Sequence, residues 1–142
     1  MGIFNLYHDS GLTNPVEAGD PLVTEHNADG STGAVDVQLF FGSDDDTKNA
    51  EADSNPGVDQ IELSIVDGDG ANGHEPTVMA LALSQAGLDA AVPGAPVDLG
   101  TSVAGGVAAA IPVWVRVTEG VQEVANWADL SLQTNQLKIT AV

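Results

Sequence analysis

The chain has 142 residues, with 21 acidic against three basic side chains for a formal net charge of −18, 43% hydrophobic residues and no cysteine. That length suits one domain, 1–142, with a core of its own, and the missing cysteines exclude a disulfide framework, thiolate metal sites and a cysteine nucleophile. The charge repels phosphate backbones and anionic headgroups, so neither nucleic acid nor a membrane is an expected partner.

The opening "MGIFNLYHDS" lacks a basic region and an apolar run. No signal peptide or membrane span is therefore expected, and the mature chain is expected to start near Met1. Met-Gly does not read as a myristoylation signal, because Leu6 stands where Ser or Thr belongs.

In "AVDVQLFF" (34–41), Val35, Val37, Leu39 and Phe41 alternate with Asp36, Gln38 and Phe40, the period of a half-buried strand. "GSDDDTKNAEADSNPG" (42–57) reads as a long acidic loop. "DQIELSIV" (59–66) alternates again, through Ile61, Leu63 and Ile65. After the turn-rich "DGDGANGHEP" (67–76), "TVMALAL" (77–83) is apolar on both faces and reads as a central strand, although its Ala, Leu and Met would also suit a short helix into "SQAGLDAA".

A second loop, "VPGAPVDLGTSVAGG" (92–106), precedes "IPVWVRVT" (111–118), where Val113, Val115 and Val117 share one face and Trp114, Arg116 and Thr118 the other. Pro112 requires a strand entry or an edge. Only "EGVQEVANWAD" (119–129) has much helical character, at most one or two turns. "ADLSLQT" and "QLKITAV", alternating around Asn135, predict a final hairpin or one long bulged strand. Short strands, turn-rich loops and no βα alternation predict an all-β protein: an antiparallel β-sandwich, Ig-like or jelly-roll-like, of seven or eight strands and at most one short helix.

The acidic loops are expected to be solvated turns. Asp67, Asp69 and Glu75 are the candidate ligands for a weakly held structural cation such as Ca²⁺, Mg²⁺ or Na⁺, although the segment fails the EF-hand pattern at Ala71. No other cofactor is expected. His8, His26 and His74 lack zinc spacing, no serine sits in a GxSxG elbow, and "LGTSVAGG" lacks the context of a phosphate loop. An enzyme is not expected.

Trp114 and Trp127 could stack a carbohydrate, the basis of an alternative reading as a sugar-binding module, but a tryptophan inside an apolar strand is by default a core or interface anchor. Arg116, the only arginine, is expected to be held by a carboxylate or a carbonyl and packed on an aromatic ring. Scarce lysine and abundant Asp, Ala, Val, Gly and Thr match proteins working in concentrated salt, where carboxylate repulsion is screened.

Three stretches carry a resemblance: "LYHDSGLTNPV", "AVDVQLFFGSDDD" and "IPVWVRVTEGVQEVANWADLSLQT". Through Tyr7, Asp9, Trp114, Arg116, Asn126, Asp129 and Leu130 the chain resembles small β-sandwich structural proteins of tailed viruses, and the likeness touches about half of the sequence. Where that family has a Pro- and Gly-rich turn after the arginine strand, this chain has "EGVQEV". The resemblance implies a non-enzymatic virion component of a virus infecting a halophilic archaeon: a capsid decoration or turret subunit, or alternatively a neck, tail or baseplate accessory protein. Its implied partners are copies of itself in a symmetric oligomer and other virion proteins such as the major capsid protein. Tyr7, Trp114, Arg116 and Trp127 are the expected structural or interface residues.

Overall fold

A computed structural model of the chain describes residues 3–17, 19–68, 75–121 and 130–142. Its strands are β1 (Asn5–Tyr7), β2 (Asp29–Gly42), β3 (Lys48–Ala52), β4 (Glu62–Asp67), β5 (Met79–Ala82), β6 (Val97–Asp98), β7 (Ser102–Ala104), β8 (Ile111–Val121), β9 (Leu130–Thr134) and β10 (Leu137–Ala141). Every pairing is antiparallel. The only helical elements among the described residues are short 3-10 turns at Pro76–Val78, Ala86–Asp89 and Val107–Ala109. The protein is an all-β, sandwich-like fold.

One layer is a four-stranded sheet in the order β1-β2-β8-β5. Its spine is the β2–β8 pair, in which Val35 faces Val117, Val37 faces Val115 and Leu39 faces Val113. The alternation of both strands turns these residues to one side, where Leu39, Phe41, Val113 and Val115 are fully buried. Each such side chain contributes roughly 1.5–3 kcal/mol by leaving water. Pro112 lies near the entry of β8, past the end of β5, whose pairing with β8 stops at Trp114.

The other layer consists of two three-stranded sheets, β10-β3-β7 and β6-β4-β9, and these lie end to end. Thr134 faces Leu63 and Leu137 faces Ala52, so β9 and β10 are successive halves of one edge line, with β4 and then β3 beside them. On the far side, Val97 faces Leu63 and Ser102 faces Glu51, so β6 and β7 form the third line.

Backbone bonds bridge the join. Leu99 N donates to Ile61 O at 2.7 Å, Ile61 N to Gly100 O at 2.8 Å, Asp53 N to Gln136 O at 2.9 Å and Asn135 N to Glu62 O at 3.2 Å. The Asn135 side chain stitches the break: its Oδ1 accepts Glu62 N and its Nδ2 donates to Gln60 O. The ten strands thus run in seven lines, because residues 53–61 leave the middle line and re-enter it. Of the two sequence expectations for the C-terminal strands, one long bulged strand comes nearer, with the line broken at Asn135–Gln136, and the hairpin does not describe them.

One cluster of buried residues, with Phe4, Leu39, Phe41, Ala50, Ala52, Ile61, Leu63, Val103, Val113 and Val115 among its members, joins both layers. Two loop expectations are corrected. The 42–57 loop holds β3, and the 92–106 loop holds β6 and β7. In both, small or single inward residues (Ala50, Ala52, Val103) do the burying, so the apolar signal is weak beside the acids and glycines. The expected helical segment 119–129 begins as strand through Val121, and its remainder lies outside the described residues.

Candidate functional site

On the outer face of the four-stranded sheet, Arg116 projects from the central strand β8 between its pairing partners Asp36 on β2 and Ala80 on β5. Its Nε donates to Asp36 Oδ1 at 2.8 Å and its Nη2 to Asp36 Oδ2 at 3.1 Å, a fork-to-fork pair across the strands. The third guanidinium nitrogen, Nη1, donates to Asp89 Oδ1 at 2.9 Å. Gln85 Nε2 adds a bond to Asp36 Oδ2 at 3.3 Å. One arginine therefore ties β8 to β2 and holds down the 3-10 turn Ala86–Asp89.

That turn covers the sheet beside the ion pair. Leu88 is 3% exposed and clusters with Ala80 and Ala82 of β5, with Ala91 and Trp114 packed against them. The small alanines leave room for Leu88, so the sheet has a minor apolar layer on its outside, edged by charge.

Arg116 holds Asp36 below the ordinary carboxylate range, chiefly through the direct hydrogen bonds, with Gln85 and the charge of the guanidinium adding to the effect and partial desolvation opposing it. The two carboxylates in turn raise the guanidinium further above its already high value. Arg116 stays charged, with its polar edges turned to carboxylates of this same chain. Among the described residues Arg116 has no aromatic partner, the ring contact there being between Phe4 and Phe41, 6.1 Å apart. Trp114 lies two positions back on the same strand, some 6–7 Å along it, while the guanidinium is drawn sideways to Asp36 and Asp89.

The other sequence candidates are dispersed. Tyr7 is buried in β1, opposite Phe40 and bridged to Pro15. Asp9 closes the following turn by accepting from Thr13 N, Thr13 Oγ1 at 2.7 Å and Asn14 N at 2.9 Å. Those bonds lower its pKa, the Thr13 side chain foremost, and they sit beside Leu12, which is buried despite a φ of 54°. Asp67 ends β4 opposite Leu130, and Glu75 is exposed ahead of Pro76–Val78. Asp69, His74, Asn126, Trp127 and Asp129 lie outside the described residues. Among the described residues no group of three His, Asp or Glu side chains converges as a metal site. His8 bonds the Asp20 carbonyl and His26 the Thr24 hydroxyl.

Sequence reasoning missed Asp36 and Asp89 as the partners of Arg116. Asp36 was legible only through the register of β2 against β8, and Asp89, on a short turn, left no periodic signal. Comparison with family models, curated proteins and solved structures finds no match to the chain.

Proposed function

We propose that the protein is a non-enzymatic structural component of a tailed-virus particle in a high-salt setting, a capsid decoration or turret subunit that docks on and stabilises the particle. The observation that carries the reading is the use of the only arginine. Arg116 is bound by Asp36 and Asp89 of its own chain, so the most distinctive side chain of the stretch that carries the resemblance, two positions after Trp114, serves the rigidity of a sheet. Consistent with this, Tyr7 and Asp9, two further residues of the resemblance, also fix local backbone.

In this reading the sandwich is a stiff unit, its acidic loops face salt water, and repeated weak contacts between copies and with the major capsid protein add through multivalency. The test is the position of the chain in purified particles, by reconstruction or by a label at Val142. Regular, stoichiometric density on the capsid shell is expected. Density confined to the neck, tail or baseplate selects the accessory role, and absence from particles overturns the reading.

A further inference from the structure

We infer that the edge formed by β9 and β10 is a self-association surface, pairing antiparallel with the same edge of a second copy about a two-fold axis. Three observations lead there.

The edge is long and, among the described residues, open. The line 130–141 has β4 and β3 on one side and no strand on the other among the described residues. Its outward groups follow from the ladder. Asn135 N bonds inward to Glu62 O and Val142 N inward to Thr47 O, and an antiparallel ladder alternates inward and outward residues. The N–H and C=O groups of Leu130, Leu132, Thr134, Leu137, Ile139 and Ala141 therefore point away from the subunit.

Among the described residues the other edges are short, partly covered or acidic. β6 and β7 have two and three residues, the outer side of β1 takes Val16 N, and β5 takes Gly94 N at Met79 O. The open stretch of β2 beyond β1 carries Asp29 and Asp36.

Charge selects the occupant. In a chain of net charge −18, copies repel over most of their surface. Residues 130–142, "LSLQTNQLKITAV", carry none of the 21 acidic residues and one of the three basic ones, Lys138. No proline interrupts them, and among the described residues the usual edge-blocking devices are limited to that one lysine and the break at Asn135–Gln136, where successive residues bond inward. This is where two copies meet with least repulsion, and the ladder supplies paired backbone bonds and a closed, isologous dimer. The pairing requires nothing of where the assembled copies are used, so its failure and that of the virion reading are separable.

The test uses the purified full chain at high salt, by sedimentation velocity over a concentration series and residue-resolved amide exchange. A reversible dimer is expected. The amides of Leu130, Leu132, Thr134, Leu137, Ile139 and Ala141 gain protection as it forms, while those of Ser131, Gln133, Lys138 and Thr140 are protected in monomer and dimer alike. Gln133→Glu with Lys138→Glu, both at exposed positions, places like charges across the axis and is expected to weaken dimerisation at least tenfold with the monomer still folded by circular dichroism. A monomer at every concentration overturns the inference, as does a dimer whose six outward amides exchange as in the monomer. Matching protection of residues 22–26 would assign the edge to that extended segment of a second copy and would overturn the two-fold pairing.

Discussion

Arg116 and Asp36 face each other across β8 and β2 and are joined by two hydrogen bonds, 2.8 and 3.1 Å long, although 80 residues separate them in sequence. The same guanidinium reaches Asp89 at 2.9 Å, but the Asp89 side chain is 76% exposed against 18% for Asp36. The two carboxylates therefore do unequal work. Solvent competes for the Asp89 bond far more than for the two-pronged Asp36 pair.

Asp36→Asn is expected to lower the unfolding midpoint more than Asp89→Asn. Asp89→Asn should loosen only the Ala86–Asp89 turn, seen as faster exchange of the Leu88 and Ala90 amides. Chemical denaturation of the two variants side by side checks the ranking, and equal effects would show that the turn contact matters as much as the cross-strand pair.

The pH response follows from the sign of the Asp36 shift. A carboxylate whose folded pKa is depressed stabilises the fold above its unfolded value, about 3.9, and that contribution disappears as pH falls through the lower folded value. Asp9 and Asp45 are shifted the same way, through hydrogen bonds in which Thr13 and Thr47 are foremost. Protonating the many other carboxylates acts oppositely at low salt, since it relieves repulsion. At about 1 M salt the Debye length is roughly 3 Å and that relief is mostly screened away. Stability at high salt is thus expected to fall below about pH 4, with a shallower fall in Asp36→Asn. A parallel pH profile in wild type and variant would contradict the assignment.

Salt itself is expected to stabilise the fold. Three basic residues cannot balance 21 acidic ones, and at about 0.01 M salt the Debye length of roughly 30 Å lets the whole molecule repel itself. Thermal unfolding across a KCl series should show a midpoint that rises with salt; a flat series would count against a salt-adapted protein.

Gly105 is expected to tolerate no side chain. A Cβ there would stand 2.0 Å from Asp45 O and 2.7 Å from Lys48 O, where the 42–48 turn meets the end of β7. Gly105 N already donates to Lys48 O, and the neighbouring Gly106 N to the carbonyl of the fully buried Ser43. Gly105→Ala should destabilise by about 3 kcal/mol, the upper range for overpacking. Gly120→Ala, with none of the described residues within 4 Å of the added carbon, should change stability by less than about 1 kcal/mol. Denaturant titration of both variants distinguishes the close contact from a general intolerance of glycine replacement.

The long strands were legible because their inward residues are large and alternate. Val113, Val115 and Val117, or Leu39 and Phe41, mark a face that no turn composition hides. β3 was not legible, because Ala50 and Ala52 bury little area each and stand between Asn49, Glu51 and Asp53 in an acidic run. By sequence the edge line 130–141 reads as a final hairpin or one long bulged strand, and the choice rests on distant partners, Glu62 and Asp53, that no local pattern supplies. For Arg116, the sequence pointed to a carboxylate but not to which one of 21. That choice is made by register, and register is a property of strands far apart in the chain.

The most direct measurement of whether Arg116 is a structural tie is the equilibrium unfolding of Arg116→Met at high salt, in a double-mutant cycle with Asp36→Asn. The account predicts that Arg116→Met lowers stability and that adding Asp36→Asn to it costs much less than Asp36→Asn does alone, because the pair is already broken. Stability and assembly unchanged in Arg116→Met, with only the binding of some ligand lost, would contradict it.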